Sequence, residues 1–212
     1  MSDRYAFPDL PLDPVRPGRT VLVEGGNVDG ATEFVLRATD PGDDEGAVLV
    51  STNATGEALL EDRADYGCGG GERVCVVDCV SLQQGRNPDD ERVKGVSTPA
   101  DLTGVGMRTS AFYQLLRDEG IERVRVGLLS VSTLLMYSEL RRVSRFIHVL
   151  AGRVSATDGV AFLAVDPGSH DEQAVSTLQQ FCDGRVEFRT EGDERQLRAV
   201  GLPGQPAEWR PF

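Results

Sequence analysis

Five short runs of β-branched and aliphatic residues punctuate the chain: "TVLVEG" (Thr20–Gly25), "AVLVST" (Ala47–Thr52), "RVCVVDCVS" (Arg73–Ser81), "RVRVGLLSV" (Arg123–Val131) and "VAFLAVDP" (Val160–Pro167). Their centres are nearly continuous in apolar residues, which marks strands buried on both faces. The segments between them carry helical signals, over about Ala31–Ala38, Gly56–Arg63, Leu102–Arg117 and Asp171–Phe181. A further helix is marked by Leu140, Val143, Ile147, Leu150 and Val154, which recur at alternating steps of three and four and form a core-facing stripe. Arg141, Arg142, Arg145 and His148 lie off that stripe, as a solvated face or an anion-binding one would. Strands that alternate with helices need crossover connections, so this order predicts an α/β fold: a doubly wound, mostly parallel sheet flanked by helices. The stretch "GRVEFRTEGDERQLRAVGL" then alternates around Glu191-Gly192-Asp193 and predicts a C-terminal antiparallel hairpin. Thr98-Pro99 predicts a helix start, Gly120 a helix stop, and "LQQGRNPDDERVKGVST" a surface loop. We expect one domain over residues 1–212, with an extended proline-rich lead-in at 1–18 and a tail at 201–212.

Charge narrows the function classes. The chain of 212 residues has 34 acidic and 22 basic residues, a formal charge of −12. Phosphate contacts need Lys and Arg, so this balance argues against direct nucleic-acid or anionic-membrane binding. Lysine occurs once, at Lys94, and every other basic residue is arginine. Acid-rich, lysine-poor composition suits a cytoplasm at multimolar salt, where carboxylate repulsion is screened; a GC-rich genome would also favour arginine codons. The opening "MSDRYAFPDLPLDP" has neither the basic region nor the apolar core of a signal peptide, and no run approaches the ~20 apolar residues of a membrane span. The expected location is the cytoplasm. Cys68, Cys75, Cys79 and Cys182 contain no Cys-x2-Cys pair, so no metal site is expected and the thiols are expected to be reduced.

The most informative stretch is "VLVEGGNVDGATEF" (Val21–Phe34). Against the phosphate-binding pattern G-x-x-x-x-G-K-[ST], Gly25, Gly30 and Thr32 fit, with Gly26 as a second glycine in the turn, but Ala31 holds the lysine position. A glycine turn between strand and helix is common in α/β proteins, so this loop alone carries little weight.

The order of the pieces resembles the RecA-like ATPase family, and within it the KaiC-like branch. "VLVSTN" resembles the branch's second strand, "VVDCVS" its third, and "STPADLTGVG" the segment before the Walker B strand. "RVRVGLLSVSTLLMYSE" occupies the place of that strand and its Ser-rich turn, and "RQLRAVGLPGQPAEWRPF" resembles the closing strand pair with its basic finger and aromatic tail. "STLLMYSELRRVSRFIHVLAGRVSATDGVAFLAVDPGSHDEQAVSTLQQFCDG" is similar to haloarchaeal proteins of this superfamily with unassigned function. The resemblance implies ATP as cofactor and three charged groups that this chain lacks. The loop lysine is Ala31. The glutamate after the second strand is Asn53, with Ala54 beside it. The Walker B strand ends Val126-Gly127-Leu128-Leu129 without its aspartate. A relocated lysine would have to be Lys94. The expectation is a catalytically degenerate protein, with a vestigial cradle at Gly25, Gly26, Gly30 and Thr32, no catalytic residues, weak or no ATP binding, and a regulatory or signalling role through a protein partner. An ATPase or recombinase-type accessory protein with displaced groups, or a small-ligand binder reusing the cradle, are the competing classes.

The resemblance also implies an interface finger, for which Arg195 and Arg198 are candidates. They face opposite sides of their strand, and Arg198 is favoured; with its phosphate partner gone, a monomer or small homo-oligomer is expected rather than an ATP-dependent hexamer. Asp78 and Asp166 stand at strand ends, where α/β folds place ligands, and His170-Asp171-Glu172 fits either acid–base work or a helix cap. One prediction follows from charge alone. Thermal stability should rise as KCl goes from dilute to molar, and a melting temperature that is flat or falls over that range would refute the high-salt reading.

Overall fold

The computed structural model describes residues 4–26, 28–69 and 71–212. In chain order the elements are β1 (Arg19–Glu24), α1 (Ala31–Ala38), β2 (Glu45–Ser51), α2 (Gly56–Asp62), β3 (Val74–Asp78), β4 (Val93–Gly95), α3 (Leu102–Asp118), β5 (Arg123–Leu128), α4 (Val131–Tyr137), α5 (Leu140–Ala156), β6 (Val160–Val165), α6 (Glu172–Gln179), β7 (Gly184–Glu191), β8 (Glu194–Val200) and β9 (Arg210–Pro211). They build one sheet in the order β4-β3-β2-β5-β6-β1-β7-β8-β9. It is parallel from β4 to β7 and antiparallel beyond, so the expected doubly wound sheet with a C-terminal hairpin is what the chain adopts. No helix among the described residues is long and apolar enough to cross a membrane.

The apolar runs make this sheet because both of its faces are covered. Val21 and Val23 of β1 and Phe162 of β6 pack on one face, with α1, α2 and the N-terminal segment. Leu22 and Leu163 pack on the other, with α3, α4, α5 and α6. On the first face Phe34 of α1 is fully buried and meets the rings of Phe162, Phe188 and Phe212 at centroid distances of 5.7, 5.8 and 6.1 Å. Each fully buried aromatic or Leu contributes about 1.5–3 kcal/mol of transfer free energy, so this cluster is a main anchor of α1 against β6 and β7.

Several local expectations change. The lead-in is not extended: Tyr5 and Val15 form an antiparallel bridge, and Tyr5, Phe7, Leu10 and Leu12 are buried against the sheet. The polar stretch after β3 contains β4, which pairs with β3 at Val76↔Val93; three residues at a sheet edge are too few to show a period. Helix α3 starts not at Thr98-Pro99 but after Asp101, whose carboxylate accepts from Gly104 N at 2.8 Å. Thr98 instead accepts from Ala100 N. The Ser-rich turn is helix α4, capped by Ser130 through Thr133 N at 3.0 Å.

The folded-back lead-in is held by β5. Arg125, 4% exposed, donates to Glu45 (2.6 Å), Ala38 O (2.9 Å) and Ala6 O (2.9 Å), and lies over the Phe7 ring. Arg123 also pairs with Glu45, at 3.1 Å, but its side chain is 28% exposed. Removing one member of a buried pair strands the other, whereas exposed pairs contribute little. Arg125→Ala should therefore lower the unfolding free energy by about 3–5 kcal/mol, and Arg123→Ala by about 0–1 kcal/mol. Denaturant titrations in molar KCl decide this, and equal losses for the two would refute the assignment of Arg125 as the tie.

Candidate functional site

The glycine turn leaves the C-terminal end of β1 between β6 and β7. Gly25 N donates to Val165 O at 3.0 Å, so the turn begins still attached to β6. A Cβ at Gly25 would stand 2.9 Å from the Phe188 ring. Gly30 ends the turn at φ +95°, a left-handed conformation that excludes most side chains, and α1 starts directly after it without a side-chain cap.

The inside of the turn is closed by its own groups. Gly26 N donates to the Asp29 carboxylate at 2.8 Å. Asp29 N and Ala31 N both donate to Gly26 O, at 3.1 and 3.3 Å. In a phosphate cradle such backbone N–H groups point at the anion. Here three of them are spent on the loop itself, and one faces a carboxylate of the same charge sign as a phosphate. Asn27 lies outside the described residues.

Beside the turn is a cleft of about 270 Å³ at the C-terminal ends of β1, β5 and β6, lined by Gly26, Thr32, Asn53, Ser130, Ser132 and Asp166 among others, with no Lys or Arg among the described residues. It unites most of the residues singled out from sequence: Gly25, Gly26, Thr32, Ala31, Asn53 and Asp166 line it. Gly30 is set to one side, under Arg195 and Phe212. Asn53 accepts a hydrogen bond from Thr133 of α4 at 2.6 Å, which ties the end of β2 to the start of α4. At its C-terminal end, β5 carries Gly127 and the fully buried Leu128. A Cβ at Gly127 would lie 2.8 Å from Leu49 Cδ2 and 3.0 Å from Val35 Cγ1, so apolar packing fills that position. Glu24, the last residue of β1, has its carboxyl pushed up by burial, against the opposing effects of a Gln179 hydrogen bond and of Arg185.

The remaining candidates separate into structural and site-facing groups. Asp78 is completely buried and accepts from Gly56 N (2.7 Å), Val80 N (2.7 Å), Ser81 N (2.9 Å) and Ser81 Oγ (2.6 Å). Its carboxylate joins α2 to the turn after β3 and has no open side for a ligand. Asp166 accepts from Gly168 N and Ser169 Oγ as a turn cap. Asp171 caps α6 through Ala174 N at 2.7 Å. Lys94 is on the edge strand β4, its ammonium 4.7 Å from the centre of the Phe112 ring. Five strand spacings separate β4 from β1, ~24 Å at the usual interval, beyond the reach of one side chain. The four cysteines are free; burial pushes the Cys75 thiol up to about 11 and the Cys79 thiol to about 12. No group of three or more His, Cys, Asp or Glu among the described residues could hold a metal ion.

Arg195 and Arg198 do face opposite ways. Arg198 pairs with Glu187 across the hairpin at 2.6 Å and stacks on Trp209 at 4.5 Å. Burial alone would raise the Glu187 carboxyl, but hydrogen bonds from Arg185 and Arg198 hold it below its ordinary value. Arg195 covers the protein's own turn: its guanidinium would stand 2.7 Å from a Cβ on Gly30, pairs with Glu33 of α1 at 3.0 Å and lies over the Phe212 ring. Sequence reasoning missed this cover and the inward role of Asp29, although Asp29 sits three residues after Gly26, a spacing at which Asp side chains commonly close a turn.

A model of a family described as a family of unknown function (DUF7504) matches residues 18–188. No curated protein matches the chain. Among solved structures, the chain is similar to a KaiC-like protein from the hyperthermophilic archaeon Pyrococcus horikoshii OT3, with a TM-score of 0.68 and 14% identity over 100% of this chain and 93% of the other. At that identity the likeness speaks to the fold, a RecA-type fold of the KaiC-like kind. The role of Asp78 is open to direct test. Asp78→Asn keeps one acceptor oxygen and leaves one or two buried donors without a carboxylate, so it should lower the unfolding free energy on the order of 2–4 kcal/mol at about 1–3 kcal/mol per orphaned group. A variant as stable as wild type in chemical denaturation would refute this structural role for Asp78.

Proposed function

We propose that this chain, which belongs to the DUF7504 family of unknown function, is a degenerate KaiC-like protein that regulates or signals by binding a protein partner, with weak or no affinity for nucleotide. The observation that carries the reading is the closed turn: Gly26 N on the Asp29 carboxylate and two more N–H groups on Gly26 O, with Ala31 where a lysine would neutralise phosphate. A triphosphate entering the cleft would have to displace Asp29 and sit near Asp166, with no cation among the lining residues.

Phosphoryl transfer depends on positioning and charge neutralisation more than on covalent chemistry. Loss of one such charged group typically costs about 10²–10³ in rate, so Ala31, Asn53 and Gly127 together leave hydrolysis at background. Arg195 and Arg198 are engaged within the chain by Glu33 and Glu187, which favours a monomer or small oligomer over a nucleotide-driven ring.

The test is a magnesium–ATP titration in molar KCl, followed by thermal shift, phosphate release and light scattering. We expect no phosphate release above a buffer blank and no change in scattering mass. Magnesium-dependent turnover that disappears on Lys94→Ala would sink the reading, as would an ATP-induced ring lost on Arg198→Ala. A thermal shift without turnover would place a small ligand in the cleft and support a binding-only sensor.

A further inference from the structure

The two faces of the sheet differ in how their arginines are used. Among the described residues, eleven arginines are held in ion pairs with carboxylates of the same chain. None belongs to α3 or α5. Arg108 and Arg117 of α3 and Arg141, Arg142, Arg145 and Arg153 of α5 have no carboxylate at ion-pair distance among the described residues. Helix α5 contains no acidic residue along its 17 positions, in a chain that carries 34 acids.

Between α3 and α5 runs a groove of about 550 Å³. On α5 it is lined by Arg142, Arg145, Phe146, Val149 and Arg153, at steps of three, one, three and four, a second stripe beside the one that faces the core. On α3 the wall is formed by Thr103, Gly106, Met107 and Ser110, short side chains apart from the methionine. Met107 is 68% exposed and Val149 60%, the profile of an apolar surface that has no cover within the chain. On the floor, Thr109 is 1% exposed and its hydroxyl has no hydrogen-bond partner among the described residues. A buried hydroxyl without a partner costs about 1–3 kcal/mol, a cost that a docked polar group would relieve.

We propose that this groove receives an acidic amphipathic helix of a partner protein. The two helices that border it are 17 residues, ~25 Å, each, and offer the ridges and groove that a third helix packs into. The apolar face of the partner would rest on Met107, Phe146 and Val149, and its carboxylates would meet Arg142, Arg145 and Arg153 at the rim. Arginine suits this task because its planar fork binds carboxylates in pairs of hydrogen bonds. A polyanion such as DNA or an anionic headgroup layer is the poorer fit, since its dense phosphates would leave the exposed Met107 and Val149 without an apolar cover. The proposal rests on the reading of this protein as a partner-binding module and names the surface and the chemistry of the partner.

The experiment uses the full chain and a fluorescein-labelled peptide of about eighteen residues, ~27 Å as a helix, with Leu on one face and Glu on its flanks. Anisotropy is measured at the lowest KCl that keeps the far-ultraviolet dichroism native. We expect micromolar binding, at least tenfold weaker to the Arg142→Glu/Arg145→Glu variant and to Val149→Asp, both with native dichroism. A peptide of the same composition in scrambled order, or with Lys for Glu, should bind at least tenfold more weakly to wild type. No preference for the ordered acidic peptide, or equal binding by the variants, overturns the proposal. A DNA duplex or phosphatidylglycerol vesicles binding through the same arginines would overturn it in favour of a polyanion. A doubling of mass in light scattering that the variants abolish would overturn it in favour of self-association. ATP turnover alongside peptide binding would sink the degenerate-ATPase reading and leave the groove standing. An inert protein that ignores the peptide would sink the groove alone.

Discussion

A parallel sheet with apolar side chains on both faces has to be covered twice, and that requirement organises the molecule. Helices α1 and α2 with the folded N-terminal segment cover one face, and α3 to α6 cover the other. What remains open is the rim where the strands end. The cleft beside Gly26 lies on the C-terminal rim, and a second cavity of about 850 Å³, bordered by Arg37, Asp40, Arg123 and Arg125, lies at the N-terminal rim. The second is larger, but its arginines are taken up in holding the lead-in and its pairs with Glu45. The smaller cleft is the one where a helix start, strand ends and polar side chains converge, which is why it is the candidate site.

The same constraint bears on the glycine turn. The glycine turn has to bring β1 into α1, and Phe34 has to reach the ring cluster beneath; these needs keep Gly25 and Gly30 in place whether or not a phosphate binds. Charge at the site is under no such need. Position 127 illustrates the point. With Leu49 and Val35 closing on Gly127, the strand gains apolar contact where a carboxylate would otherwise require a metal or a donor. The turn gains similarly from Asp29, which satisfies Gly26 N from within. Both features act within the chain itself.

How much of this was legible in the sequence depends on the range of the interaction. The strands and long helices were readable because burial on two faces, or on one stripe, repeats over many residues, as at Val21–Val23 and Leu140–Val154. The glycine turn between β1 and α1 was readable because Gly25, Gly26 and Gly30 fall at fixed places between an apolar run and a helical one. The fold of the lead-in was not, because Tyr5 and Phe7 are anchored by Arg123 and Arg125, more than a hundred residues away, and prolines alone suggest extension. Strand β4 was too short to show a period, and the choice of Asp101 over Thr98 as cap was a competition between two good acceptors three residues apart. Facing directions in the hairpin followed from alternation, but not their destinations: nothing in "RQLRAV" says that Arg195 ends over Gly30.

That destination bears on what the hairpin is for. In an assembly whose finger serves a neighbour, the arginine must be free to leave its own subunit. Arg195 is fastened by Glu33 at 3.0 Å and by the Phe212 ring, and Phe212 is in turn packed on Phe34 and Phe188. Arg198 is fastened by Glu187, itself shared with Arg185, and by Trp209. To release either arginine, the protein would have to give up an ion pair and a stack on an aromatic ring, which for Arg195 is a ring of the cluster that seats α1. The antiparallel end piece therefore acts as a clasp on its own turn. Six of the arginines without a carboxylate partner among the described residues are grouped along α3 and α5 on the opposite face, and a charge-led encounter with an acidic segment of another protein finds more unpaired arginine there than at the hairpin.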